Sequence, residues 1–225
     1  MKITSLFISS ESKNSEILVE FCDKNNIRLL RKSLISFQEV PFELSKPFDV
    51  VFFTSPRSFD FFSKNFMLKK DVPIACIGYG TKKHIEEYGY TVLFQGEEAG
   101  KPDKVAHEFS QWLATRIVLI PQSTISNKSI EKALNAKQII PLVVYNTNIL
   151  PLVIESCSVY IFTSPSNAIS YFEKNKLPEK AIIIAWGQTT ADYLEKKKVS
   201  NIRVLNESSF TELLDVLSNL LSNQN

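Results

Sequence analysis

The chain has 225 residues, 44% of them hydrophobic and 22% charged, a balance suited to one large or two small packed domains and unlike a disordered chain. Its 26 basic and 24 acidic residues leave a formal net charge of +2, so no basic field suited to nucleic acid is present. Three scattered cysteines (Cys22, Cys76, Cys157) form no C-x-x-C pair, and only two histidines (His84, His107) occur, so neither a zinc site nor a disulfide framework is indicated.

In chain order, short apolar runs alternate with amphipathic ones, the pattern of an α/β protein with parallel sheets. Strands are expected at 2–8, 27–31, 49–54, 73–77, 91–94, 116–120, 138–144, 158–163, 181–186 and 202–205. Helical faces lie between them: Ile17, Leu18, Phe21 and Cys22; Val105, Phe109, Trp112 and Leu113; and Phe210, Leu213, Leu214, Leu217 and Leu221. The opening "MKITSLFISS" is too short and interrupted for an export signal, and no later run reaches membrane-spanning length. A cytoplasmic protein without a membrane segment is expected.

One stretch returns. "VVFFTSPRSFDFF" at 50–62 is matched by "SVYIFTSPSNAISYF" at 158–172, and the same offset of 109 that relates Ser55 to Ser164 relates Gly78 to Gly187. Two equivalent β-α-β-α units imply two similar domains. Residues 116–144 follow the first copy and nothing comparable follows the second, so the N-terminal β-α-β completes the second copy's sheet. This predicts a discontinuous domain (1–34 plus 149–225), a continuous one (39–144), and crossovers near 35–38 and 145–148. The apolar, β-prone crossovers suit a paired, two-stranded hinge better than a flexible linker.

The chemistry falls at matched strand ends. Ser55 and Ser164 precede a proline, the pattern of a helix N-cap with proline in the first turn, and each therefore starts a helix at the carboxyl end of a strand. "IGYGT" and "WGQTT" put Gly78 and Gly187 at tight turns, with Thr81, Thr189 and Thr190 at the next helix start. Each feature alone is an ordinary cap. Together they resemble the ligand-binding rim of open parallel sheets, where helix N-termini offer amide N–H groups to anions. The expected result is a cleft edged by Thr54-Ser55-Pro56 and Thr163-Ser164-Pro165. No G-x-G-x-x-G, phosphate loop or nucleophile elbow occurs, and two histidines make a Ser-His-Asp triad a poor reading.

"VVFFTSPRSFDFF", "ACIGYGTKKHIEEYG", "RIVLIPQSTI", "PLVVYNT", "YIFTSPSNAISYF" and "IIIAWGQTTADYL", in this order, resemble the uroporphyrinogen-III synthase family over Lys2 to Leu221. The resemblance implies two Rossmann-like (flavodoxin-like) domains joined by a two-stranded ladder. It also implies a lyase that cyclises linear hydroxymethylbilane with inversion of the D ring and loss of water, through a spiro intermediate, and needs no metal or organic cofactor. The catalytic task is to hold a flexible octacarboxylate in one reactive geometry and prevent spontaneous closure to isomer I. Tyr145 in "VVYNT" matches the family tyrosine and is the candidate acid, since a phenol is protonated at neutral pH. Ser55, Thr81, Ser164, Ser166, Thr189 and Thr190 match hydroxyl-bearing loops that bind carboxylates or shape the rim, with Thr54, Gly78 and Gly187 beside them.

The family often has Arg-Pro after its first strand where this chain has Ser9-Ser10-Glu11, and Trp186 precedes Gly187 where a smaller residue is usual. Arg57 could replace the lost positive charge or could simply be exposed. The resemblance also implies a transient contact with the preceding enzyme of the pathway. Nothing demands an oligomer. The competing expectations are a non-catalytic cytosolic two-domain protein that closes on an anionic small molecule, and a synthase-like domain kept as an interaction module.

Overall fold

The computed structural model describes residues 2–11 and 15–222. The chain divides into two compact units, Met1–Ser36 with Asn148–Asn225, and Phe37–Thr147.

The first unit holds β1 (Ser5–Ile8), α1 (Glu16–Lys24) and β2 (Arg28–Arg31), then, after the other unit, β9 (Val159–Phe162), α6 (Pro165–Phe172), β10 (Ile182–Ala185), α7 (Gln188–Lys196), β11 (Ile202–Val204) and α8 (Phe210–Ser222). Its parallel sheet has the order β11-β10-β9-β1-β2. Read along the unit this is 2-1-3-4-5, the flavodoxin-like order. Every residue of β1 and of β9 is buried, as expected of strands covered on both faces. Alternation along β9 feeds two cores. Val159 and Ile161 join Leu18, Leu213 and Leu217 on one side, and Tyr160 and Phe162 join Phe7, Tyr171 and Leu194 on the other.

The second unit holds β4 (Val50–Phe53), α2 (Pro56–Asn65), β5 (Ile74–Cys76), α3 (Tyr79–Glu87), β6 (Val92–Gln95), α4 (Pro102–Leu113), β7 (Val118–Ser123), the short α5 (Ser129–Lys132) and β8 (Ile139–Ile149), with β3 (Ile35–Glu39) entering it. The sheet order is β3-β8-β7-β4-β5-β6. Its five parallel strands β6-β5-β4-β7-β8 repeat the spatial order of the first unit, entered at a different point in the chain. Here β4 divides its side chains: Val51 and Phe53 pack with Phe59, Phe62 and Tyr145, and Val50 and Phe52 with Val105, Phe109 and Ile120.

The hydrogen bonds repeat at the same offset as the sequence. Ile77 N–H donates to Phe53 O at 3.1 Å and Trp186 N–H to Phe162 O at 2.9 Å, each one 109 residues from its counterpart. The duplicated sequence therefore encodes duplicated backbone geometry. Parallel α/β architecture is as expected. Ile35–Glu39 and the extension of β8 from 144 to Ile149, absent from the expected strand positions, form the two-stranded hinge expected at the crossovers. Val40 N–H donates to Val144 O (3.0 Å) and Leu150 N–H to Leu34 O (2.8 Å), so the two crossover segments pair antiparallel.

The cysteines are free and buried, and burial pushes the Cys22 and Cys76 thiols up to about 11, so they act as small apolar side chains. No helix among the described residues is long and apolar enough to cross a membrane.

Candidate functional site

In both sheets the strand bearing Thr-Ser-Pro lies at the point where strand order reverses: β9 beside β1 in one, β4 beside β7 in the other. Open parallel sheets bind ligands at the carboxyl ends of the strands at that point. The sequence arms both ends alike. Ser55 is extended (φ −167°, ψ 160°) and Ser164 nearly identical (φ −162°, ψ 157°). Ser55 Oγ accepts from Ser58 N–H at 3.1 Å, and Ser164 Oγ accepts from Asn167 N–H at 3.2 Å. Each cap uses an oxygen lone pair, which leaves a hydroxyl hydrogen to donate outward. Proline follows each cap, so the first-turn amides without an i−4 carbonyl begin at Arg57 and Ser166. Ser166 is half-buried beside that cap, and Thr54 is half-buried at the end of β4.

The glycine turns are matched too. Gly78 (φ 174°) and Gly187 (φ −177°) are extended, so close approach and not backbone strain explains the small residue. A Cβ on Gly78 would lie 2.6 Å from Ala99 Cβ, and one on Gly187 would lie 3.2 Å from Ser208 Oγ. Thr81 N–H donates to the Gly78 carbonyl and Thr190 N–H to that of Gly187, each at 3.1 Å, and both residues are buried. Of the two roles expected for them, shaping the loop fits this burial. Thr189 is half-buried and closer to solvent.

The first turns of α2, α3, α6 and α7 contain no acidic residue, whereas those of α1, α4 and α8 contain Glu16, Asp103 and Glu212. An acid in the first turn stabilises a helix through its dipole and orphan N–H groups. The four repeat-matched helices that start at the central strand ends forgo it. Among the described residues, no first-turn carboxylate offsets their positive ends.

Tyr145 lies on β8 within the second unit and is 7% exposed. Its ring stacks on Phe61 (centroids 5.0 Å, 18°) and meets Phe37 edge-on (5.8 Å, 73°). The row ends in a cation on each side, Lys64 Nζ 4.8 Å from the Phe61 ring and the Arg57 guanidinium 3.5 Å from that of Phe37. Arg57 also neighbours the Tyr145 hydroxyl.

Four further features were not legible as functional in the sequence. Ser9, where Arg-Pro is common, is buried and stitches the first switch point: its Oγ accepts from Thr163 N–H (2.8 Å) and its carbonyl from the Thr163 hydroxyl (2.9 Å). Asn167 Oδ1 accepts the buried Leu34 N–H at 2.8 Å and its Nδ2 donates to Ser164 Oγ at 3.1 Å, tying a rim cap to a crossover. Gln122, near the end of β7, is buried, and its Oε1 has no partner among the described residues. Trp186 turns its ring against Phe210 (4.9 Å), so its bulk is absorbed by packing with α8. The Ser9 and Trp186 departures from the family pattern were visible in the sequence, the first as a missing cation and the second as an oversized neighbour of Gly187.

The family model for "Uroporphyrinogen-III synthase HemD" matches residues 27–215. The chain belongs to the uroporphyrinogen-III synthase family. It is thus a member of a family of cofactor-independent cyclising lyases in haem biosynthesis. Among solved structures it is similar to the uroporphyrinogen-III synthetase of Helicobacter pylori, with 19% identity over 97% of this chain and 100% of that one and a TM-score of 0.71. It is also similar to a mutant uroporphyrinogen III synthase from Thermus thermophilus, with 14% identity over 99% and 100% of the two chains and a TM-score of 0.68. At these identities the structural likeness speaks to fold. No curated protein matches the chain significantly.

Proposed function

We propose that this synthase holds its linear tetrapyrrole by the carboxylates, on the helix N-termini at the ends of β4, β5, β9 and β10, and that Tyr145 is the acid that protonates the departing hydroxyl. The observation that carries the binding half is the absence of acids from the first turns of those four helices alone. Eight substrate carboxylates need positive partners, and acid-free helix ends with the Ser55 and Ser164 hydroxyls supply them. Thr54, Ser166 and Thr189 flank those ends; Gly78, Thr81, Gly187 and Thr190 set the backbone that shapes them.

Tyr145 gives the one phenol of the aromatic row. Loss of water needs a proton on the leaving oxygen, and the phenol supplies it; the proton returns when the new ring carbon loses its own after closure. Ring stacking on Phe61 fixes the phenol's direction. We expect Tyr145→Phe to lower kcat for isomer III by roughly a hundred- to ten-thousandfold with KM little changed, the span of general-acid contributions. The measurement is product isomer separation after incubation with fresh hydroxymethylbilane; an unaltered kcat removes Tyr145 from the mechanism.

We also propose a cytoplasmic location and a transient handover from the enzyme that makes the linear substrate, because the free substrate closes spontaneously to isomer I. Cross-linking of the two enzymes during turnover tests the handover.

A further inference from the structure

The two units are matched in backbone but not in charge. At the second position of α2 stands Arg57; 109 residues on, at the second position of α6, stands Ser166. A cation there opposes the helix dipole, a local cost that a solvated surface arginine would not need to accept. Nor is Arg57 held by an acid: no carboxylate among the described residues lies within salt-bridge distance, and the nearest acid in its own helix, Asp60, is engaged by His84 Nε2 at 2.6 Å. Instead its guanidinium is braced over the Phe37 ring at 3.5 Å and neighbours Tyr145. The residue stays solvent-exposed, yet crowding around the charged group pulls its pKa below the ordinary arginine value, with Tyr145 and then Asp60 acting in the other direction. An arginine lowered in this way is still a cation at neutral pH.

We infer that Arg57 is a carboxylate anchor and orienting residue: its braced guanidinium takes a carboxylate on the pyrrole ring that reacts at Tyr145, and so decides which end of the linear tetrapyrrole presents its ring to the phenol. This inference rests on the synthase reading and on the role given to Tyr145. Its physical basis is that helix-end amides, which take any carboxylate, cannot by themselves read the polarity of a chain bearing carboxylates along its whole length. One planar, five-donor group held beside the phenol can. Phe37 holds the fork in orientation, so less rotamer freedom is lost when the carboxylate arrives.

The test uses the full chain and the variants Arg57→Met, Arg57→Lys and Phe37→Leu. We expect Arg57→Met to raise KM for hydroxymethylbilane roughly ten- to a hundredfold, the loss of one charge-assisted pair, and to raise the share of isomer I, with melting temperature preserved. Arg57→Lys should recover part of the affinity because charge remains while the fork and ring contact are lost, and Phe37→Leu should fall between wild type and Arg57→Met. An Arg57→Met enzyme with wild-type KM overturns the inference, as does equal damage in Met and Lys variants accompanied by a fall in melting temperature. Fluorescence titration with uroporphyrin III, an octacarboxylate, separates this from the synthase reading. If wild-type protein makes no isomer III, that reading falls, and equal uroporphyrin affinity of wild type and Arg57→Met then overturns the anchor as well; weaker binding by the variant supports it.

Discussion

If the four acid-free helix ends exist to receive substrate carboxylates, installing an acid at one of them should stabilise the protein while damaging it as an enzyme. Ser166 is the place to do this, because it is half-buried at the second position of α6, one residue beyond the proline that follows the Ser164 cap. Ser166→Asp adds a negative charge in the first turn, which the dipole rewards with about 0.3–1 kcal/mol. For a chain of this size that corresponds to a melting temperature higher by about 1–4 °C. A substrate carboxylate arriving about 5 Å from the new charge meets a repulsion of about 3 kcal/mol at an effective dielectric near 20. The expected KM increase is therefore about tenfold at moderate salt and nearer a hundredfold at low salt, since screening acts over about 10 Å at 0.1 M. Ser166→Asn is the control, similar in size and neutral. Steady-state kinetics of isomer III formation at two ionic strengths, beside thermal melts, reads both arms. A Ser166→Asp enzyme that melts higher but matches Ser166→Asn in KM at both salt concentrations would refute the assignment of this rim to carboxylates.

Two structural predictions check the frame that carries the rims. Gly78→Ala should destabilise the protein by about 1–3 kcal/mol, because its Cβ would lie 2.6 Å from that of Ala99 in a packed turn, whereas Gly187→Ala meets a movable Ser208 hydroxyl at 3.2 Å and should be milder; denaturant titration of both variants compares them, and equal losses would contradict the difference in space. Asn167→Ala should cost about 1–3 kcal/mol, since the buried Leu34 N–H loses its acceptor, and hydrogen exchange at Leu34 should accelerate. Unchanged exchange there would show that the contact contributes nothing.

Much of the fold could be read from local signals. Central strands such as β4 and β9 are fully buried and so appear as unbroken apolar runs, Ser-Pro pairs mark helix starts, and an offset of 109 reveals the duplication. What escaped depends on partners far along the chain. The paired hinge was expected from its β-prone residues, but its extent was not: "ISFQE" is half polar and joins the sheet edge beside β8, and "YNTNI" continues β8 to Ile149. The site divides the same way. Ser55, Ser164 and the glycine turns were visible because caps and turns are local. The stitch between Ser9 and Thr163 and the brace of Asn167 on Leu34 span 154 and 133 residues and leave no short-range trace. Arg57 was named from the sequence without a way to choose between a surface charge and a site charge; Phe37, 20 residues before it, makes that choice in space.

The duplication also explains why this protein reads poorly as a conventional enzyme. A matched pair of sheets, each with its Thr-Ser-Pro strand at the reversal of strand order, supplies two sets of helix ends. Such ends bind anions of many kinds, so selectivity for one product isomer has to come from whatever the duplication does not share. The shared parts are the caps, the glycines and the missing acids. The unshared parts cluster in residues 37–147: Arg57 opposite Ser166 in the alignment, and the row Lys64, Phe61, Tyr145, Phe37, Arg57. Binding without polarity would leave a linear substrate free to enter in either direction and close by its spontaneous route. On the proposed reading, the phenol beside the guanidinium couples recognition of direction to protonation of the leaving hydroxyl, and a substrate bound in the wrong orientation is not ionised.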